Sequence, residues 1–279
     1  MDTNKNYKKN RKDVVYVNYV KIPREIVCDV EMEKERVIIY AYLCARRALD
    51  DTVAFSVPEL VQWTGLKPNS HRGKINHKYL DTLQSFAERG YFTDFPDFEE
   101  LKSAKRSLHT YYKVKLNIDL FDNPDWFGMI YFDELQRIIH FKETLKEIYG
   151  DINDLSRMSA SYIMLVLSYI RSNICRLPDK PQSCYRNYNT IAADIGLSER
   201  YIAKIVELLD VMGIVKYQEI GRYRYKTSDG NYVFITSPKV FADCRRFKKD
   251  QHNNMVLDSE YDYQEEIAKQ IAVLTRNQK

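Results

Sequence analysis

Long apolar runs, paired cysteines and a strong excess of one charge are missing from this chain, and each absence removes a class of protein. No uncharged stretch approaches the ~20 residues that cross a bilayer, so no membrane contact is expected. The five cysteines (Cys28, Cys44, Cys175, Cys184, Cys244) are scattered without a Cys-x-x-Cys pair, which argues against a zinc site or a disulfide framework. They read as small buried hydrophobes in a reducing cytoplasm. The basic start of the chain precedes no long apolar stretch and is expected not to be a signal peptide. The formal net charge is only +4, so a surface for a polyanion has to come from local clustering. No G-x-x-x-x-G-K-S/T or G-x-G-x-x-G segment occurs, and no carboxylate pair stands beside a nucleophile. Neither catalysis nor a cofactor or metal is therefore expected.

What remains is a globular composition, 44% hydrophobic and 29% charged, in 279 residues, enough for two domains with a core each. Nine glycines against 22 tyrosines, with many lysines, fit the composition of AT-rich bacteria or their plasmids and mobile elements. The expected organisation is a flexible basic arm at 1–12, a first domain at 13–122 and a helical linker at 123–156. A second domain at 157–245 is followed by a basic stretch and helix at 246–279.

Local patterns place the elements. Val14 to Ile22 is β-branched and aromatic and reads as a strand ending at Pro23. Val37, Tyr40, Ala41, Cys44 and Ala48 repeat at helical spacing, Thr52 to Phe55 suits a short strand, and Ser56 suits the cap of a helix from Val57 to Thr64. A second helix is expected from Ile75 to Arg89, then a hairpin of Tyr91–Phe95 with Tyr111–Leu116. Phe132 to Tyr149 reads as one helix. In the distal half, helices are expected at Ser159–Cys175, near Thr190–Ile195 and at Ser198–Met212. A hairpin of Val215–Arg224 with Tyr232–Thr236 turns at Asp229-Gly230, and a last helix runs from Tyr263 to Thr275.

One pattern occurs twice: a short apolar helix, a Gly-Leu turn, a second helix, then glycine and a β-rich stretch. The clearer copy runs from Tyr188 to Val215 with Gly196-Leu197 at the turn; the other runs from Ser56 to Phe92 with Gly65-Leu66. The turn glycine and the closing glycine stand 25 positions apart in the first copy and 17 in the second, and the difference of eight matches the segment Lys67 to Lys74. The pattern resembles the winged helix-turn-helix family. The resemblance implies a mainly α fold with small β wings (α+β), two tandem winged-helix domains joined by a helical linker, and double-stranded DNA as the partner.

In such proteins the leading turn and outer face of the second helix enter the major groove. In the distal copy Leu197, Ile202, Ile205, Leu208 and Leu209 follow core spacing, which leaves Ser198, Glu199, Arg200, Tyr201 and Lys204 facing outward. Arg222, Arg224 and Lys226 alternate along the wing and suit a phosphate backbone. In the proximal copy Lys67, Arg72, Lys74 and Lys78, with Asn69, Ser70, His71 and Asn76, form a cationic segment without one acid. The bland alternative is a solvated face for the helix, an ordinary polar hairpin face for the wing, and a protein-facing or unused loop for the proximal segment. His71 and His77 lack a third ligand at metal-site spacing.

Three roles fit these residues: a transcription regulator similar to the MarR-like and GntR-like groups, a replication initiator or primosome-type protein similar to duplicated winged-helix plasmid initiators, and a protein-interaction module. A homodimer or a replication or transcription partner could dock through 132–149 or 263–275.

Overall fold

The structure, a computed structural model, describes residues 18–69, 74–103, 110–122, 126–149, 158–177, 179–221, 223–235, 238–251 and 254–276. It mixes helices with small antiparallel sheets. The basic arm at 1–12 lies outside the described residues. Among those described, no helix is long and apolar enough to cross a membrane.

The proximal half opens with β1 (Tyr19–Pro23), which passes directly into α1 (Arg24–Cys28). Then come α2 (Arg36–Arg46), β2 (Thr52–Phe55), α3 (Val57–Trp63), α4 (Lys74–Glu88), β3 (Phe92–Asp94), α5 (Phe98–Ser103), β4 (Tyr112–Leu116) and α6 (Ile118–Asp122). Ser56 caps α3 by accepting from the Glu59 amide, a bond of the kind that contributes ~1 kcal/mol. The hairpin of β3 with β4 forms as expected, and β2 joins its other side, giving the order β2-β4-β3. The sequence reading missed α5, which occupies the connection between those strands.

The distal half repeats this plan. β5 (Phe127–Tyr131) passes directly into α7 (Phe132–Ile139), followed by α8 (Phe141–Tyr149), α9 (Ala160–Asn173), β6 (Cys184–Arg186), α10 (Tyr188–Ile195) and α11 (Glu199–Val211). β7 (Val215–Glu219), β8 (Tyr223–Lys226), β9 (Tyr232–Ile235) and β10 (Lys239–Asp243) follow. The order β6-β10-β7 is the proximal sheet order again: first, third, second. A hairpin of β11 (Phe247–Lys249) and β12 (Met255–Leu257) leads to α12 (Tyr263–Arg276), whose Ile267 and Leu274 pack with Val240 and Ala242 of β10.

Three expectations are corrected. The helix expected over Phe132–Tyr149 is two, because the chain turns at His140, whose amide closes back onto the Gln136 carbonyl. The distal hairpin is two ladders in line: β8 pairs with β9, but β7 pairs with β10, and Ile220 donates to the Pro238 carbonyl between them. The segment expected to be only helical also contains β5, which pairs with a strand more than a hundred residues earlier.

That pairing organises the molecule. β1 and β5 run antiparallel with Tyr19 opposite Tyr131, Lys21 opposite Met129 and Pro23 opposite Phe127. Equivalent strands of two copies, paired about their midpoints, are what a local two-fold axis produces. α2 packs on α9, and the buried side chains of both halves form one continuous cluster. Gly128 lets β5 lie against α9, since a Cβ there would fall 2.5 Å from the Ser168 carbonyl oxygen.

Candidate nucleic-acid interface

In the distal unit the turn between α10 and α11 is built by two local devices. Gly196 takes φ +69°, a left-handed conformation that costs a glycine nothing, and its amide closes onto the Ala192 carbonyl. Ser198 then caps α11 by accepting from the Tyr201 amide. Ile202, Ile205, Leu208 and Leu209 are buried as their spacing requires. Glu199 and Arg200 are exposed, and Tyr201 and Lys204 are half-buried. The hydroxyl of Ser198, itself exposed, therefore has a structural task at the helix start. Arg224 and Lys226 stand at alternate positions of β8; their side chains, and all of Arg222, lie outside the described residues.

In the proximal unit Lys67 is exposed and Lys78 is partly so. Ser70, His71 and Arg72 lie outside the described residues, as does the side chain of Lys74, the first residue of α4. Asn76 departs from expectation. It is buried, its Oδ1 accepts from the Asn69 amide at 3.3 Å, and its Nδ2 donates to the Asn69 carbonyl at 3.0 Å. This pair brackets the loop onto α4, so the Asn76 carboxamide is spent within the chain and does not face a ligand. His77 is half-buried with its Nε2 fully enclosed. Among the described residues no group of three or more His, Cys, Asp or Glu side chains could hold a metal ion.

One of the two candidate helices, α11, packs against Tyr162, near the start of α9. Its ring meets that of Tyr201 edge-on, with centroids 5.7 Å apart. Its hydroxyl is pushed above the usual tyrosine value, first by burial and then by Glu35, and it also feels Lys78 of α4. Of the two candidate helices, α11 touches this side chain and α4 acts on it through charge alone.

Their relative position is held by an exchange of contacts. The segment after β1 reaches the end of its own unit's α4, where Asp29 receives the Arg89 guanidinium at 2.5 Å. It also reaches the turn of the other unit: a Cβ on Gly196 would meet Lys34 Nζ at 2.5 Å and Val30 at 3.4 Å. The segment after β5 does the same in reverse. Arg137 donates to the Met212 carbonyl at the end of α11, and a Cβ on Gly65 would lie 2.9 Å from the Ile139 carbonyl oxygen.

Two buried arginines brace this arrangement, Arg36 across the two units and Arg171 within the distal one. Arg36 donates to the carbonyls of Ile26 and Val27, both at 2.7 Å, and of Ile195 at 3.2 Å. These are the C-terminal ends of α1 and α10, where unsatisfied carbonyls and the helix dipole favour a cation. Burial draws the Arg36 guanidinium down to about 10. Arg171 on α9 grips Glu134 of α7 with two bonds, at 2.5 and 3.0 Å, and Asp243 of β10 at 2.7 Å. Burial alone would lower its pKa, but Asp243 and Glu134 outweigh that and raise it well above the ordinary arginine value.

Sequence reasoning missed Tyr162, Arg36, Arg137 and the carboxylates at 29–35. A lone arginine within the apolar run from Ala160 to Ile170 and beyond was a usable signal for Arg171. No protein-family model and no curated protein matches the chain.

Proposed function

We propose that the protein binds double-stranded DNA without catalysing a reaction, and that its two halves are winged helix-turn-helix units addressing one duplex. The observation that carries this reading is the repeated plan: helix, strand, two helices joined by a glycine turn, and two more strands in a first-third-second sheet. In each copy the second helix of the motif opens outward at its leading half, with Arg200 and Lys204 in one and Lys67 and Lys78 nearby in the other. Arg200 is assigned to base edges and the cations of β8 to phosphates. The test is fluorescence anisotropy with random and genomic duplexes between 50 and 200 mM salt. Binding that weakens steeply with salt supports the reading; no binding to any duplex at 50 mM overturns it.

Between a regulator and a replication initiator, the internal pairing favours the initiator. A regulator with one such unit spans two major grooves by dimerising, with half-sites ~34 Å apart. Here both units sit in one chain and share one core. A stoichiometry of one chain per selected site, with permanganate-sensitive strand opening beside it, supports initiation. Two chains per site without opening supports a regulator.

A further inference from the structure

We infer that the segment from Asp29 to Glu35 is an acidic strap between the two DNA-facing helices, and that Glu33 limits DNA affinity by cancelling the charge of Lys78. The inference rests on the duplex-binding reading above.

The strap carries Asp29, Glu31, Glu33 and Glu35 against the single cation Lys34. Its course is fixed at both sides. Along α4 it meets Arg89 through Asp29 and Lys78 through Glu33, at 3.9 Å. On the other side Lys34 reaches the Ile195 carbonyl at 3.5 Å, beside the α10–α11 turn. Each carboxylate has a different situation. Asp29 is engaged by Arg89, Glu35 is buried, Glu31 is exposed, and Glu33 faces the one candidate phosphate-binding lysine whose side chain is described on α4. The strap thus places negative charge where a duplex touching both helices would pass.

The Glu33–Lys78 pair is too exposed to matter for folding. Its side chains retain 40% and 45% of their accessibility, and exposed pairs contribute little to stability. Its effect falls instead on binding. A phosphate approaching Lys78 meets a carboxylate 3.9 Å away, and a lysine already neutralised releases less counterion. Each effective phosphate contact steepens the log–log dependence of affinity on salt by about 0.9. Removing the Glu33 charge should restore about one such contact. Because phosphates carry no sequence, the restraint acts on backbone affinity and leaves discrimination to the base-reading side chains.

The experiment uses the full chain and a labelled random-sequence 40-bp duplex as probe, with anisotropy titrations from 50 to 200 mM NaCl. Four proteins are compared: the parent, Glu33→Gln, Glu31→Gln, and Glu33→Gln combined with Lys78→Ala. Glu31→Gln removes the same charge from the same strap without touching Lys78. A melting curve for each confirms folding. The expected result is that Glu33→Gln binds about three- to tenfold tighter at 100 mM salt, with a slope steeper by about 0.9. Glu31→Gln stays within about twofold of the parent, and the added Lys78→Ala removes the gain. Equal gains for both glutamine variants, a gain that survives Lys78→Ala, or no gain at all overturns the inference while leaving duplex binding intact. A parent that binds no duplex overturns both.

Discussion

Replacing Arg36 by methionine probes the joint between the two units, because this side chain sits in the core and ties together backbone from both. Methionine keeps the apolar stem and roughly its volume, so the change removes hydrogen bonds more than packing. Five carbonyls lose a donor: Ile26, Val27, Met32, Glu33 and Ile195. Leaving a buried acceptor unsatisfied costs about 1–3 kcal/mol. The gross loss is offset by no longer burying a guanidinium, which itself costs several kcal/mol. The downward displacement of the Arg36 pKa to about 10 has the same cause. With the two α1 carbonyls left bare, the Ile195 carbonyl keeping only Lys34 at 3.5 Å, and that relief subtracted, the net destabilisation is about 3 kcal/mol.

For a chain of this size, a loss of that magnitude lowers the melting temperature by roughly 6–12 °C. Urea unfolding followed by both tryptophan fluorescence and far-UV circular dichroism gives the free energy. Arg36→Lys should recover only part, since one ammonium cannot span carbonyls on two helices as a planar guanidinium does. A loss below about 1 kcal/mol for methionine refutes the reasoning, because it means the carbonyls find water or other partners at no cost.

Gly128→Ala should destabilise by about 1–3 kcal/mol in the same assay, since its Cβ would press on the Ser168 carbonyl and force β5 off α9. Glu134→Gln should cost about 3–5 kcal/mol, because it leaves the fully buried Arg171 with Asp243 as its one carboxylate; a change under 1 kcal/mol contradicts the account of that network. Alkali should unfold the protein: Tyr79, Tyr131 and Tyr169 are pushed above the usual ~10, first by burial, so the folded state holds their protons more tightly. Their contribution is complete below pH ~10 and is lost as pH rises beyond it. Arg36 has the opposite sign but is one group against three. Absorbance at 295 nm and circular dichroism should therefore change together above pH 10, and full tyrosine ionisation in a folded protein contradicts this.

What was legible in the sequence is what short-range chemistry decides. The cap at Ser56 and the turn at Gly196 lie within four residues of the groups they satisfy, and the helices expected to begin at Ser159 and Ser198 were placed to within a few residues, those serines proving to be their caps. Thr52 to Phe55 was found because its alternation is unbroken. The strand pairings beyond the β3–β4 and β8–β9 hairpins were not. β6 has three residues, too few to show a period, and β10 follows a proline and reads as basic surface although Val240, Phe241 and Ala242 are fully buried. The β1–β5 pair joins segments whose register nothing local reveals. Among candidate site residues Glu199 and Arg200 are exposed as helical spacing implied, whereas Tyr201 packs partly against Tyr162 and the core. Asn76 was not legible, because its spacing suits a surface while its carboxamide is turned onto the Asn69 backbone.

The charged residues at the joint share a further trait: their partners include groups distant in sequence, across the joint for Arg36 and within the distal half for Arg137. Arg36 reaches Ile195 and Arg137 reaches Met212, and neither forms an i,i+4 pair that a helix pattern would flag. This matters for the proposed function more than for the fold. Two recognition units on a loose tether would each order themselves on DNA and would bear that entropy at every encounter. Units locked by the buried Arg36, by turn glycines seated on each other's flanking segments and by a shared core have met that cost in folding. On that reading the spacing between the two helices is itself a determinant of which DNA is bound, and it resides in residues such as Arg36, Gly65 and Gly196 that need touch no nucleotide.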